Sequence, residues 1–182
     1  MPCRAVFLDR DGVLCEDRAD YVKSWAEWRW VAGTLEGAAA LARAGRRLVV
    51  ITNQACVGKG IVPRTTLDEI HARMEADFAA AGAPLAGVYV CPHTEADACD
   101  CRKPKPGLLL AAARDLDLDL AASAFVGDNL RDREAALASG VGRFVLVLTG
   151  QGTRWAGEAR ARGLEVPAAP DLRAAAEMIL KQ

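Results

Sequence analysis

Short runs of β-branched and other apolar residues alternate with alanine-rich stretches of helical period along nearly the whole chain, and this alternation restricts the possible folds more than any other feature. Cys3–Leu8, Arg47–Thr52, Gly87–Cys91, Ala124–Val126 and Gly142–Leu148 read as strands. Helices are expected at Leu35–Ala44, from about Thr66 to Ala81, at Gly107–Leu116 and Asp132–Ser139, around Trp155–Arg162 and at Asp171–Leu180. Gly45 stops the first, and Gly82 and Pro84 close the second. A glycine-bearing loop at Val57–Val62 precedes the second, and an irregular stretch follows the Gly87–Cys91 strand as far as Pro106. The pattern implies a three-layer, Rossmann-like α/β fold: a parallel sheet with helices on both faces. At 182 residues, with no repeat, low-complexity segment or linker, residues 1–182 are expected to form a single domain.

Bulk properties remove several classes of function. Lys+Arg 23 against Asp+Glu 24 gives a formal charge of −1, and no basic stripe appears, so no nucleic-acid partner is expected. Phe144–Leu148 and Ala38–Ala42 are far short of the ~18 apolar residues that a membrane span needs. The amino terminus lacks the apolar core of a signal peptide. The expectation is a cytoplasmic monomer without a membrane partner. Of the 6 cysteines, Cys91, Cys99 and Cys101 cluster, which in a reducing compartment points to metal or chemistry rather than disulfides.

Ligands of parallel sheets bind beyond the carboxyl ends of the strands. Four such ends carry polar groups: Asp9-Arg10-Asp11, Thr52-Asn53-Gln54, Cys91-Pro92-His93 and Gly127-Asp128-Asn129. Ordinary turn formation is the plain alternative. Asp9 and Asp11 facing Asp128 and Asp132 would repel unless a divalent cation sat between them, and an oxygen-rich site suits Mg²⁺. A carboxylate beside Mg²⁺ can attack phosphorus and form an acyl phosphate. A second carboxyl two residues on can protonate the leaving oxygen and later activate water. Thr52 offers a hydroxyl to the phosphoryl oxygens, and a lysine would neutralise their charge.

An apolar strand, D-x-D-G-V-L, then T-N, then K-P, then G-D-x-x-x-D, in that order, resembles the haloacid dehalogenase (HAD) superfamily of phosphohydrolases over nearly the whole chain. The resemblance implies that Asp9 is the nucleophile, Asp11 the general acid/base, Thr52 the phosphate-binding hydroxyl and Lys103 the phosphate-binding lysine. It further implies that Mg²⁺ is held by Asp9, the main-chain carbonyl of Asp11, and Asp128. Asp132 either joins them or only supports the site. Lys105 competes with Lys103, but the family pattern puts the ligand just before the first proline.

Cys91, His93, Cys99 and Cys101 read C-x-H-x5-C-x-C, three thiolates and an imidazole that match a closed, tetrahedral structural Zn²⁺ site. The alternatives are a chance cluster or a Cys99/Cys101 redox pair. A zinc-bound loop here would position Arg102 and Lys103. With the following R-K-P-x-P-G, the cluster is similar to that of D-glycero-D-manno-heptose 1,7-bisphosphate 7-phosphatases, and the same loop occurs in histidinol-phosphate phosphatases. Short chains of this kind carry no large cap domain, so a small phosphorylated metabolite is the expected partner.

By the same resemblance, the segment holding Asp17, Arg18 and Tyr21 and the loop Thr52-Asn53-Gln54-Ala55-Cys56-Val57-Gly58-Lys59-Gly60 line the substrate pocket, the loop with Ala, Cys and Lys where the family has Ser, Gly and Arg. Lysine cannot make arginine's bidentate fork, so these exchanges bear on substrate preference. Arg102 is a candidate clamp for a second phosphate or hydroxyl, or else a loop charge facing solvent. Asn129 either bonds phosphate or metal-bound water or shapes its turn. Trp25, Trp28 and Trp30 are expected to pack in the core or shield the sheet edge rather than stack on a ligand. His71 has no metal spacing around it and is expected at a surface or boundary. The leading reading is a Mg²⁺-dependent phosphomonoesterase that removes the 7-phosphate of a heptose 1,7-bisphosphate. A histidinol-phosphate or other small-metabolite phosphatase is the runner-up, and a non-catalytic, zinc-bearing ligand binder is the remote third.

Overall fold

The computed structural model describes residues 3–181 and contains a six-stranded parallel sheet of order β3-β2-β1-β4-β5-β6. The strands are β1 (Ala5–Leu8), β2 (Arg47–Asn53), β3 (Leu85–Cys91), β4 (Ala124–Gly127), β5 (Arg143–Val147) and the two-residue β6 (Ala168–Ala169). The helices are α1 (Thr34–Arg43), a short α2 (Ala55–Gly58), α3 (Arg64–Ala80), α4 (Gly107–Leu116), α5 (Leu130–Ser139), α6 (Gly152–Ala161) and α7 (Leu172–Leu180). Residue-by-residue alternation sends each central strand to two cores. Val6, Leu8, Val50, Val126, Val145 and Val147 face one side, and Ala5, Phe7, Val49, Ile51, Phe125 and Phe144 face the other. The apolar stripes of α1, α3 and α7 cover the first side, and those of α4 and α5 the second. Three layers result, as the alternation implies.

The differences from the sequence reading are local. The Val57–Val62 loop begins inside a single helical turn at Ala55–Gly58. The strand β6 was not anticipated, because two alanines at a sheet edge carry no β signal. Trp25 and Trp28 stack with centroids 5.1 Å apart, Trp30 meets Trp28 edge-on, and Trp28 is buried in the first core, so these rings pack as expected. Among the described residues, no helix is long and apolar enough to cross a membrane.

The chain runs outward from β1 to β3, then returns to lay β4 against the other side of β1. The β1/β4 boundary is therefore the topological switch point, where the strand ends splay apart and leave a crevice. Asp9 directly follows β1, and Asp128 directly follows β4.

Candidate active site

A cavity of about 210 Å³ opens at that boundary, lined among others by Asp9, Asp11, Asn53, Lys103, Asp128 and Asp132. Lys103 lies at its floor, 3% exposed. Its Nζ sits 2.8 Å from Asp9 Oδ1 and 2.7 Å from Asp132 Oδ1, and it donates to the Ile51 carbonyl at 3.0 Å. Burial alone would lower the pKa of this ammonium, but Asp132 and Asp9 outweigh it and hold the pKa above the ordinary lysine value. The competing Lys105 is half exposed and pairs with Asp100.

Carboxylate oxygens of Asp9, Asp128 and Asp132 lie within 4.8 Å of one another. Burial, then the Asp132 charge, raises Asp9 well above the usual range, and the same two causes push Asp128 up to about 7. One lysine does not neutralise three buried carboxylates, so the donor set has the charge and hardness that Mg²⁺ requires. Asp132 has other tasks as well. Its Oδ2 accepts the Asn129 N–H at 3.2 Å while Asn129 Oδ1 accepts the Arg131 N–H at 3.0 Å, a reciprocal cap that opens α5. Asn129 lines the cavity; its Oδ1 is engaged in this turn. Asp128 Oδ2 accepts the Gln151 N–H at 2.8 Å. A Cβ on Gly12 (φ +81°) would lie 2.0 Å from that same oxygen, so glycine is required there.

The Asp11 side chain stands outside the carboxylate trio. Its Oδ1 accepts from Arg10 Nε and Nη2 at 3.2 and 2.7 Å, and its Oδ2 from Gln54 Nε2 at 2.7 Å. Burial would raise its pKa, but the Arg10 charge and these hydrogen bonds together hold it below the ordinary value. Gln54 also donates to Thr52 Oγ1 at 2.8 Å. Thr52 and Gln54 are both buried and do not line the cavity, so the structure places them behind its wall. The surface or boundary position expected for His71 is incorrect. It lies on the buried stripe of α3 with Leu67, Ile70, Met74 and Phe78, with Nε2 3.2 Å from Arg10 Nη1.

At the rim, Asp17, Arg18, Tyr21, Asn53 and Arg102 line the cavity. Lys59 does not line it; its Nζ donates to the Tyr21 hydroxyl at 3.0 Å and lies over the Tyr21 ring. Two lining residues escaped the sequence reading. Gln151 donates to Asp17 at 2.8 Å, and Arg131 lies 3.6 Å from Glu95. Arg131 sits inside the G-D-x-x-x-D motif, where its charge was the available signal; Gln151 follows a strand that ends without a motif.

Beside the cavity, the donor atoms of Cys91, His93, Cys99 and Cys101 converge. The sulfur of Cys101 lies 3.2 Å from that of Cys91 and 3.5 Å from that of Cys99, the Cys91 and Cys99 sulfurs are 3.7 Å apart, and His93 Nδ1 is 3.2 Å from the Cys101 sulfur. Tetrahedral Zn²⁺ bonded at about 2.3 Å to sulfur sets ligand separations of roughly 3.5–3.8 Å, so the set fits with small shifts. From this loop Arg102 Nη1 donates to the His93 carbonyl at 3.2 Å.

Residues 100–175 match the HAD-hydrolase-like family. The chain is 42% identical over 151 residues to the D-glycero-beta-D-manno-heptose-1,7-bisphosphate 7-phosphatase of Neisseria meningitidis, covering 83% of this chain and 80% of that one. It is 38% identical over 180 residues to the enzyme of the same name from Bordetella bronchiseptica, covering 98% and 99%. A crystal structure of D,D-heptose 1,7-bisphosphate phosphatase from B. bronchiseptica, complexed with magnesium and phosphate, superposes with a TM-score of 0.91 over 98% of both chains. The chain belongs to the HAD-like phosphoric monoester hydrolases, within the family of the D-glycero-D-manno-heptose 1,7-bisphosphate 7-phosphatases.

Proposed function

We propose that this chain removes the 7-phosphate of a D-glycero-D-manno-heptose 1,7-bisphosphate by way of a phosphoryl group carried on Asp9. The observation that carries the reading is Lys103 buried between Asp9 and Asp132 at the switch point, where a phosphate would meet a nucleophile and a cation together. An oxygen of Asp9 attacks phosphorus, and the bond from phosphorus to the C7 oxygen breaks. Arg10 keeps Asp11 ionised in the substrate-free site; the negative charge of the bound phosphate favours its protonation. Asp11 gives that proton to the departing oxygen, then takes one from the water that attacks the Asp9 acyl phosphate. Inorganic phosphate leaves, and the Asp9 carboxylate is restored. Lys103 balances charge on the phosphoryl oxygens throughout. Mg²⁺ held by Asp9, Asp128 and the Asp11 carbonyl would neutralise the phosphate and align it with Asp9. Asp132, tied to Lys103 and to the α5 cap, serves as support.

Zn²⁺ at Cys91, His93, Cys99 and Cys101 would hold the loop that carries Arg102 and Lys103, as the convergence of the four donors supports. A cytoplasmic setting belongs to the same reading, since a reducing compartment keeps those thiols free to ligate. Arg102, Arg18 and Tyr21 then face the sugar and its second phosphate.

The test compares phosphate release from the α and β heptose 1,7-bisphosphates, histidinol phosphate and a generic monophosphate, with Asp9→Asn as the blank. A heptose bisphosphate is expected to give the highest kcat/KM. Preference for histidinol phosphate, or release unchanged in the Asp9→Asn variant, would contradict the reading.

A further inference from the structure

Arg10 lies between the two aspartates of the first motif, is 1% exposed, and has no task in the chemistry above. A guanidinium is always charged and has five donors and no acceptor, so its burial is tolerated only among acceptors. Nε and Nη2 both point at Asp11 Oδ1, and the guanidinium lies 5.8 Å over the Trp28 ring. Nη1 faces His71 Nε2 at 3.2 Å. Because arginine cannot accept, Nε2 must, which puts the His71 proton on Nδ1. The imidazole is itself buried, on a 17-residue helix anchored in the core by Ile70, Met74 and Phe78. The Asp11 carboxylate is thus gripped by two arms. Gln54, at the end of β2, holds one oxygen, and Arg10 holds the other from a position that His71 fixes.

We propose that His71 is a positioning residue for the reaction: by accepting from Arg10 Nη1, it holds the guanidinium in the orientation that fixes the Asp11 carboxylate. The inference rests on the proton-transfer role given to Asp11 above. Burial, and then the Arg10 charge, push the imidazole down to about 3; Asp11, Asp68 and Arg64 are the other charges acting on it. The accepting, neutral form is therefore present throughout the neutral pH range. Leucine at 71 would fill the space but leave Nη1 without an acceptor, so that only Asp11 itself and the Trp28 face would orient the guanidinium. Glutamine reaches as far as Nε2 and offers an oxygen there.

The test compares steady-state phosphate release by wild type, His71→Leu, His71→Gln and Asp11→Asn, all with Mg²⁺ and a heptose 1,7-bisphosphate. His71→Leu is expected to lower kcat about tenfold or more, a share of what proton transfer contributes, with KM changed less than about twofold. His71→Gln is expected to recover kcat to within about threefold of wild type. A purely structural role would lower the melting temperature and the active fraction without this split and without rescue by an acceptor. Wild-type kcat in His71→Leu, or equal impairment in His71→Leu and His71→Gln, with Asp11→Asn inactive, would overturn the inference while leaving the role of Asp11 intact. Full activity in Asp11→Asn would overturn both. Should His71→Leu fail to fold, His71→Asn replaces it: its amide stops short of Arg10, so a kcat as high as that of His71→Gln would overturn the inference, and a lower one would support it.

Discussion

The side chain of Asn53 clasps the main chain of Lys103 from both sides, donating through Nδ2 to its carbonyl and accepting its N–H at Oδ1, each at 3.1 Å. Asn53 ends a central strand, and Lys103 follows the Cys/His loop, so the sheet itself sets where the buried ammonium begins. Replacing Asn53 by Ala removes both bonds, each worth about 1 kcal/mol. The larger effect is expected on the reaction, because a misplaced cation loses its register with the phosphate. A fall of about 10- to 100-fold in kcat/KM, with a melting temperature lowered by only a few degrees, would bear this out.

Gly12 makes room for the Asp128 carboxylate. In Gly12→Ala the added carbon would collide with Oδ2 in a backbone conformation that alanine adopts only at a cost of about 1–2 kcal/mol. Asp128 must then turn away from the carboxylate trio. The Mg²⁺ concentration for half-maximal activity is expected to rise about tenfold or more, measured by titrating the metal at saturating substrate. An unchanged requirement would place the cation elsewhere.

The Cys/His cluster is expected to hold one zinc per chain by elemental mass spectrometry of the wild type. Cys99→Ser should lose it, and thermal stability should fall with it, since structural zinc contributes directly to folding free energy. Because Arg102 is anchored on the His93 carbonyl, KM for a bisphosphate should rise more than KM for a monophosphate. Wild type purified without zinc, with all four ligands reduced, would contradict this.

His71 also sets a pH dependence of stability. Its folded pKa is depressed to about 3, so below the ordinary imidazole value near 6.5 the unfolded chain takes up a proton that the folded chain refuses. The contribution is complete above roughly neutral pH and is lost as pH falls toward the folded value. Comparing urea melts near pH 7 and near pH 5, wild type should lose on the order of 1–2 kcal/mol more than His71→Gln. Parallel losses would show that the imidazole is not held neutral.

The layered fold was legible because alternating periods of two and near four leave little choice of architecture; the strand order, which puts the crevice between β1 and β4, was not. The identities of Asp9, Lys103 and Asp128 were legible because their motifs end strands or flank a proline-bearing loop. Side-chain direction was not. Thr52, Gln54 and Lys59 lie within a single motif, yet the first two turn inward behind the wall and the third tethers Tyr21. His71 was misread although the helical period betrays it: with Leu67, Ile70, Met74 and Phe78 it falls on one stripe, and a polar residue on an apolar stripe needs a buried partner. That partner, Arg10, is 61 residues away and invisible to any local pattern.

The central claim is that Asp9 carries the phosphoryl group. Rapid acid quench of the enzyme during turnover of a heptose 1,7-bisphosphate, followed by borohydride reduction and peptide mass spectrometry, reads the acyl phosphate at its position. Modification confined to residue 9 and absent from Asp9→Asn is expected. Full turnover with no modification at Asp9, or a phosphoryl group trapped on another side chain, would contradict it.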